Sequence, residues 1–305
     1  MSGFHHIPVL REEVLAAMTP RDGEVFVDCT LGGGGHSDAL LSAADCRVVG
    51  LDRDPVAIQA ARERLAVHGD RFTAVRSAFS LLGAVLDDLG LDHVDGVLAD
   101  LGVSSPQLDE GARGFSFQKS ATPDMRMDPD LPVSALDIVN DYDEVELASI
   151  IWRYGEERKS RRVARAIVAG RPWSDTVGLA QAVAGAVGHS KKSRTNPATR
   201  TFQALRIAVN DELGQLQLLL PVATDRLVSG GRLAIISFHS LEDRIVKRFI
   251  YDESGRTAPR DPYGNPIGTP RLARPAKPVT AGDDDPNPRA RSARLRSAVR
   301  LPWND

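Results

Sequence analysis

Between residues 24 and 100 short apolar runs alternate with amphipathic stretches, and near Ser105-Pro106 the alternation stops. Val25-Phe26-Val27-Asp28, Arg47-Val48-Val49-Gly50-Leu51, Phe72 to Val75 and Val94 to Leu98 have strand length and are bounded by turn residues. After the second run Asp54 is placed to cap a helix with Pro55 at its first position, and Ile58, Ala61 and Leu65 recur at helical spacing. Alternating strands and helices predict an α/β fold, a parallel doubly wound sheet whose ligands sit beyond the carboxyl ends of the strands. Asp28, Asp52, Phe79 and Asp100 are expected on one rim.

From Ser105 the pattern changes to turns at Gly111, Gly114, Pro123, Pro129 and Pro132, and then to helices. Asp143 with Glu146 reads as a capping box opening a helix that closes at Gly155; a second helix is predicted from Glu156 to Gly170-Arg171-Pro172. Asn196-Pro197 begins a predicted long amphipathic helix with Phe202, Leu205, Val209, Leu213, Leu216 and Leu220 on one face. Gly230-Gly231-Arg232 turns into a buried strand, Leu233 to Ser237, followed by a capping pair of Ser240 and Asp243. His239 reads equally as structural or active. Residues 254–289 read as a long loop, and Arg294 to Leu301 as a final strand. The expected organisation is a core in two parts, 1–108 and 199–305 with its tail, around an inserted helical domain at 109–198.

Chemistry enters at Asp28-Cys29-Thr30-Leu31-Gly32-Gly33-Gly34-Gly35-His36. Glycines at a strand-to-helix turn let a ligand lie against the main chain near the positive end of the helix. The dinucleotide fingerprint G-x-G-x-x-G fails, because its third position falls on Ser37 or Asp38. What fits is D-x-x-x-G-x-G (Asp28, Gly32, Gly34) followed by a strand ending in Asp52, an acid suited to accepting a ribose diol. S-adenosylmethionine carries that diol and no phosphate. A glycine-rich turn with no ligand is the alternative. Asp100-Leu101-Gly102-Val103-Ser104-Ser105-Pro106 follows the fourth strand, where a methyltransferase of this kind holds its acceptor, but the segment lacks the D/S-P-P-Y of DNA amino methylases. From the residues alone it is a polar turn at the rim.

Composition narrows the partners. With 42% hydrophobic and 26% charged residues the chain is ordinarily globular, and no apolar run reaches membrane-span length. Met1-Ser2-Gly3-Phe4-His5-His6 has no signal-peptide pattern, so a cytoplasmic protein is expected. Seven histidines show no metal-ligand spacing, and no metal is expected. Cys29 and Cys46 form no C-x-x-C pair and are read as reduced and structural. The net charge of −3 argues against indiscriminate nucleic-acid coating, yet local basic surfaces are marked. Arg158, Arg161, Arg162 and Arg165 fall on one helix face, opposite Val163 and Ile167, and read either as a phosphate-neutralising stripe or as a solvated face paired with Glu156 and Glu157. Lys191, Lys192 and Arg194, with Arg200 and Arg206 beyond, meet no acid until Asp211, which favours an RNA-facing surface.

These residues closely resemble the RsmH (formerly MraW) family. The resemblance covers nearly the whole chain, in blocks such as His6 to Leu10, Gly32 to Ser37, Leu51 to Pro55, Asp100 to Asp109, Arg113 to Phe117, Asp124 to Asp128, Thr199 to Asn210, Ser237 to Asp243 and Asn287 to Arg296. It implies a class I S-adenosylmethionine-dependent methyltransferase whose inserted helical domain, 109–198, is substrate-binding, methylating the exocyclic N4 of one cytosine in the decoding region of 16S rRNA. The implied cofactor is S-adenosyl-L-methionine, the implied partner 16S rRNA within the small ribosomal subunit, with no metal and no membrane; the oligomeric state stays open. Carried over by position, the cofactor contacts are Gly34, Gly35, His36, Asp52, Phe79, Asp100 and Gln107, with Asp100 also placed to orient the acceptor amine. Asn196 stands where relatives often have His. Two other classes remain: a nicotinamide-dependent oxidoreductase, and a non-catalytic RNA-binding or ribosome-assembly factor.

Overall fold

The computed structural model describes residues 8–103, 111–188, 196–264, 267–282 and 288–303. The chain forms two compact units, Met1–Gly102 with Leu213–Asp305, and Val103–Glu212. The first unit begins α1 (Arg11–Met18), β1 (Val25–Asp28), α2 (Gly35–Ala43), β2 (Arg47–Asp52), α3 (Pro55–Leu65), β3 (Phe72–Arg76), α4 (Leu82–Asp88) and β4 (Val94–Asp100). The second holds α5 (Ala135–Asp141), α6 (Glu144–Gly155), α7 (Ser160–Ala169), α8 (Thr176–Val187) and α9 (Thr199–Asn210). The chain returns through α10 (Glu212–Arg226), β5 (Leu227–Ser237), α11 (Ser240–Glu253), β6 (Val279–Thr280) and β7 (Arg294–Val299).

The seven strands form one sheet in the order β3-β2-β1-β4-β5-β7-β6. β1 to β5 are parallel, and β7 runs antiparallel to both β5 and β6. Every residue of β1 is buried, as expected of a parallel strand covered on both faces. Successive side chains alternate between the faces: Val25 and Val27 join a core with Leu82 and Leu86 of α4, Leu216 and Leu220 of α10 and Val246 of α11. Phe26 points the other way, into a core with Met18 of α1, Leu40 of α2 and Ile58 and Leu65 of α3. Helices on both faces make the sheet doubly wound. Strand order reverses between β1 and β4, and in such sheets that reversal opens the ligand crevice.

The sequence's turn at Gly230-Gly231 lies instead inside a longer strand. β5 already begins at Leu227, and the shift from the Val94–Leu227 pair to the Gly96–Arg232 pair absorbs the glycines as a bulge, with Gly230 at φ +82°. Arg232, just beyond, is buried and donates to Glu24 and to the Met18 carbonyl that ends α1.

The second unit has its own core, in which Leu147 and Ile151 of α6, Val163 and Ile167 of α7, Val183 of α8 and Phe202 and Leu205 of α9 are completely or almost completely enclosed. α6 opens with the Asp143–Glu146 capping box. α7 starts at Ser160, later than the sequence predicts, because Glu156 takes a left-handed conformation (φ 48°) and the buried Glu157 carboxylate accepts the Lys159 N–H at 2.8 Å. A larger correction concerns the predicted long helix. It breaks at Asp211, also left-handed at φ 48°, so Phe202, Leu205 and Val209 pack in the second unit while Leu216 and Leu220 pack in the first. Residues 199–212 therefore belong to the helical unit, not to the core segment expected from residue 199 onward.

Candidate cofactor and acceptor site

The crevice between β1 and β4 is built by main-chain pairing that carries on past the strand ends. Cys29 N–H donates to the Leu98 carbonyl and Leu31 N–H to the Leu51 carbonyl, both at 2.8 Å, which ties the start of the glycine loop to both neighbouring strands. Gly34 then caps α2 at φ +76°, where an added Cβ would stand 2.9 Å from Leu65. Gly33 faces the other way: a Cβ there would meet nothing within 4 Å. The loop thus offers open space above its main chain, at the positive end of a helix.

Four acids and their partners line the rim. Asp28 is completely enclosed, accepts the Ser37 hydroxyl at 2.8 Å and the Thr30 N–H at 3.1 Å, and has its carboxyl pushed up by burial against the opposing pull of His36 and Ser37. Asp52 accepts the N–H groups of Gly32 and Asp54, each at 2.9 Å; burial nevertheless outweighs these bonds and raises its carboxyl to about 6. Asp54 makes the helix cap foreseen in the sequence, accepting Val56 N–H at 3.0 Å. Asp100 is held by its main chain, whose N–H donates to the Thr30 hydroxyl at 2.6 Å. Its Oδ2 lies 3.5 Å from Nε2 of the buried His36. Phe79, half-buried in the short turn after β3, has the Arg53 guanidinium 5.8 Å from its ring centre.

Asp100 Oδ1 and both ring nitrogens of His36 are buried atoms with no hydrogen-bond partner. Such atoms are rare in folded proteins, and three of them lie together at this crevice. S-adenosylmethionine fits that demand: its ribose diol donates, its ammonium donates, and its carboxylate accepts. Thr30, which joins Asp28 to Asp100, escaped the sequence reading; its only signal was a hydroxyl two residues past the acid that ends β1.

The structure separates the other expected residues. Arg158 precedes α7, while Arg161, Arg162 and Arg165 lie on its exposed face; Arg165 Nε is 3.5 Å from Glu144 of α6. Arg200 donates to the Glu156 carbonyl at 3.3 Å, and Arg206 is engaged by Glu212 through two bonds of 2.7 and 2.8 Å. Gln107, Lys191, Lys192 and Arg194 lie outside the described residues. His239, not Ser240, caps α11: its Nδ1 accepts the Glu242 N–H at 3.4 Å and Glu242 returns the bond to the His239 N–H, so the predicted capping pair is shifted by one residue. Asp243 turns instead to Arg294 and Arg296 of β7. Among the described residues no cluster of three or more His, Cys, Asp or Glu side chains could hold a metal ion, and no helix is long and apolar enough to cross a membrane.

A family profile described as the MraW methylase family matches residues 3–301. The chain belongs to this family. A relative named ribosomal RNA small subunit methyltransferase H in Geobacter sulfurreducens is 52% identical over 98% of this chain and 99% of its own length. Relatives of the same name in Heliobacterium mobile and Rhodospirillum centenum are 49% and 50% identical, covering 98% and 97% of this chain and 99% and 92% of theirs. Membership makes the chain an S-adenosylmethionine-dependent methyltransferase. With the observed sheet, the fold is the class I methyltransferase fold expected from the sequence, and the nicotinamide oxidoreductase reading falls.

Proposed function

We propose that this protein methylates the exocyclic N4 of one cytosine in the decoding region of 16S rRNA, with the assembled small ribosomal subunit as substrate, in the cytoplasm. The part of this reading that concerns methylation of ribosomal RNA stands on family membership and on relatives of nearly half or more identical residues. The choice of atom rests on the chain's own side chains.

The bound cofactor supplies an electrophilic methyl group on a sulfonium. Asp52, with lone pairs left beside the Gly32 and Asp54 N–H groups, would accept the ribose hydroxyls; the main chain at Gly33, Gly34 and Gly35 and the start of α2 would receive the amino-acid end; Phe79 offers an aromatic face for the base. His36 and Gln107 complete the set of proposed contacts. Asp100 is the candidate for the acceptor, since its unsatisfied Oδ1 can take an N4 hydrogen and turn the nitrogen lone pair toward the methyl carbon. No base need act first, because N4 carries a lone pair; its surplus proton leaves after transfer. Arg158, Arg161, Arg162, Arg165 and Arg200, with Lys191, Lys192 and Arg194, are proposed to face RNA phosphates.

The observation that carries the choice of atom is the state of the two cysteines. Methylation of cytosine at C5 requires a thiolate to attack C6. Cys29 is completely enclosed and its thiol is pushed well above the ordinary range by burial and by Asp28, while Cys46 is buried, raised by burial, and its thiol donates to the Leu40 carbonyl. The chain has no other cysteine. Direct attack by a nitrogen that already bears a lone pair is what these residues can support. Incubation of unmethylated small subunits with the protein and methyl-labelled cofactor tests the reading: label is expected in 16S rRNA, and its absence from RNA under conditions where the cofactor binds would refute it.

A further inference from the structure

An open cavity of about 400 Å³ lies beyond the carboxyl end of β5, lined in part by Ser240, Asp243, Arg244 and Lys247 of α11, Ser292, and Arg294 of β7. None of the residues read from the sequence as facing RNA is among those that line it. Its sign is unexpected for a chain of net charge −3. Among the described residues that line it, three side chains are cationic and one is acidic. That acid, Asp243, is already committed, accepting from Arg294 at 3.0 Å and from Arg296 at 2.7 and 3.1 Å. Arg244 and Lys247, one helical turn apart, are exposed on one face, with Lys247 Nζ 5.5 Å from the Tyr251 ring centre.

One further feature favours an anion over plain solvent. The fourteen-residue helix α11 starts at the cavity, so its positive end adds to the side-chain field, although the capping box already uses the N–H groups of His239 and Glu242. The His239 ring also lines the cavity, and its side chain is only 10% exposed. Its Nε2 is buried against Glu242 Oε1 at 3.1 Å, so this ring belongs to the helix cap and leaves the anion to the cationic side chains.

Location supplies the ligand class. Ile236 pairs with Asp100, Leu101 N–H donates to the Ile236 carbonyl at 3.0 Å, and Ser237 at the cavity wall is the next residue. Neighbouring strands are about 4.8 Å apart, so the cavity opens one strand away from the acceptor carboxylate. We propose that this cavity holds a backbone phosphate of the RNA strand next to the nucleotide being methylated. The proposal rests on the reading of RNA as substrate, and places a phosphate-binding point in the first unit in addition to the arginines of α7.

The test uses the full chain and unmethylated small subunits, with KM and kcat measured across a salt series for the wild type and for Arg244→Gln, Lys247→Gln together. Removing these two cations from the phosphate is expected to raise KM about tenfold near physiological salt and to flatten the salt slope by about 0.7 to 0.9 per cation. Saturated kcat and affinity for S-adenosylmethionine should stay within about twofold, and the charge-keeping Arg244→Lys, Lys247→Arg pair should retain the wild-type slope. An unchanged KM and slope in the glutamine variant, or a raised KM with an unchanged slope, overturns the phosphate assignment. Failure of the substrate reading looks different: the wild type itself would then transfer no methyl to the subunit.

Discussion

The hydroxyl of Thr30, just past β1, accepts the main-chain N–H of Asp100 at the end of β4 over 2.6 Å. Thr30's own N–H donates to the enclosed Asp28, so one residue ties the buried acid beneath the glycine loop to the acid proposed to face the acceptor. Replacing the hydroxyl by a methyl leaves the Asp100 N–H without that partner, which costs about 1 to 3 kcal/mol. Thr30→Val is expected to lower the melting temperature by a few degrees and to reduce kcat more than cofactor affinity, while Thr30→Ser keeps both. Equal kcat in Thr30→Val and wild type would remove Thr30 from the positioning of Asp100.

Asp52, the proposed acceptor of the ribose hydroxyls, predicts a pH signature for cofactor binding. Its folded pKa of about 6 lies above the ordinary 3.8, so this carboxyl contributes stability that is fully present below about pH 4 and is lost as pH rises through about 6. The difference is roughly 3 kcal/mol, spent on keeping an ionised acceptor in the crevice. Affinity for S-adenosylmethionine should weaken as pH falls below about 6, and Asp52→Ala should bind about 1.5 to 3 kcal/mol more weakly at pH 7.5 with no such fall. Calorimetric titration at several pH values measures both; a wild-type affinity that is flat from pH 7.5 to 5 would contradict the assignment.

Asn210 carries a comparable load in the helical unit. Its amide accepts the Met127 N–H at 2.8 Å and donates to the Met125 and Arg206 carbonyls at 2.7 and 2.9 Å, pinning the 125–127 segment, where Met125 has φ +61°, to the end of α9. Asn210→Ala is expected to cost about 2 to 4 kcal/mol, because it strands buried main-chain groups. Chemical denaturation followed by helical circular dichroism reads the loss, and a change below about 1 kcal/mol would mean that the segment finds other partners.

The exposed arginines of α7, proposed to face RNA, allow attachment to be tested apart from chemistry. With Arg165 close to Glu144, Arg161→Gln with Arg162→Gln is the cleaner change. Subunit binding should weaken and its salt slope flatten by about 0.7 to 0.9 for each phosphate no longer neutralised, with cofactor affinity untouched. An identical slope in the two proteins would leave this face merely solvated.

The strands, the glycine turn and the rim acids were legible because each is a local pattern: apolar runs covered on both faces, a turn requiring positive φ, acids at strand ends. What escaped was decided by packing at a distance. The apolar stripe through Phe202, Val209, Leu216 and Leu220 is continuous in sequence, yet Asp211 breaks it because its two halves pack in different cores. The cap of α11 shifted from Ser240 to His239 because Asp243 is drawn away by Arg294 and Arg296, more than fifty residues on. Thr30 was invisible for the same reason, since its partner Asp100 lies on another strand.

The central claim is that the methyl group goes to a nitrogen placed by the protein and not to a ring carbon activated by a thiol. The Cys29→Ser, Cys46→Ser double variant tests it most directly, because it removes every thiol of the chain. Unmethylated small subunits are treated with the variant and S-adenosylmethionine, the 16S rRNA is digested, and its nucleosides are compared with authentic standards by chromatography and mass spectrometry. The variant is expected to fold, bind the cofactor and yield N4-methylcytidine at an appreciable rate. A 5-methylcytidine product from the wild type, or complete loss of transfer in a folded, cofactor-binding double variant, would contradict the account.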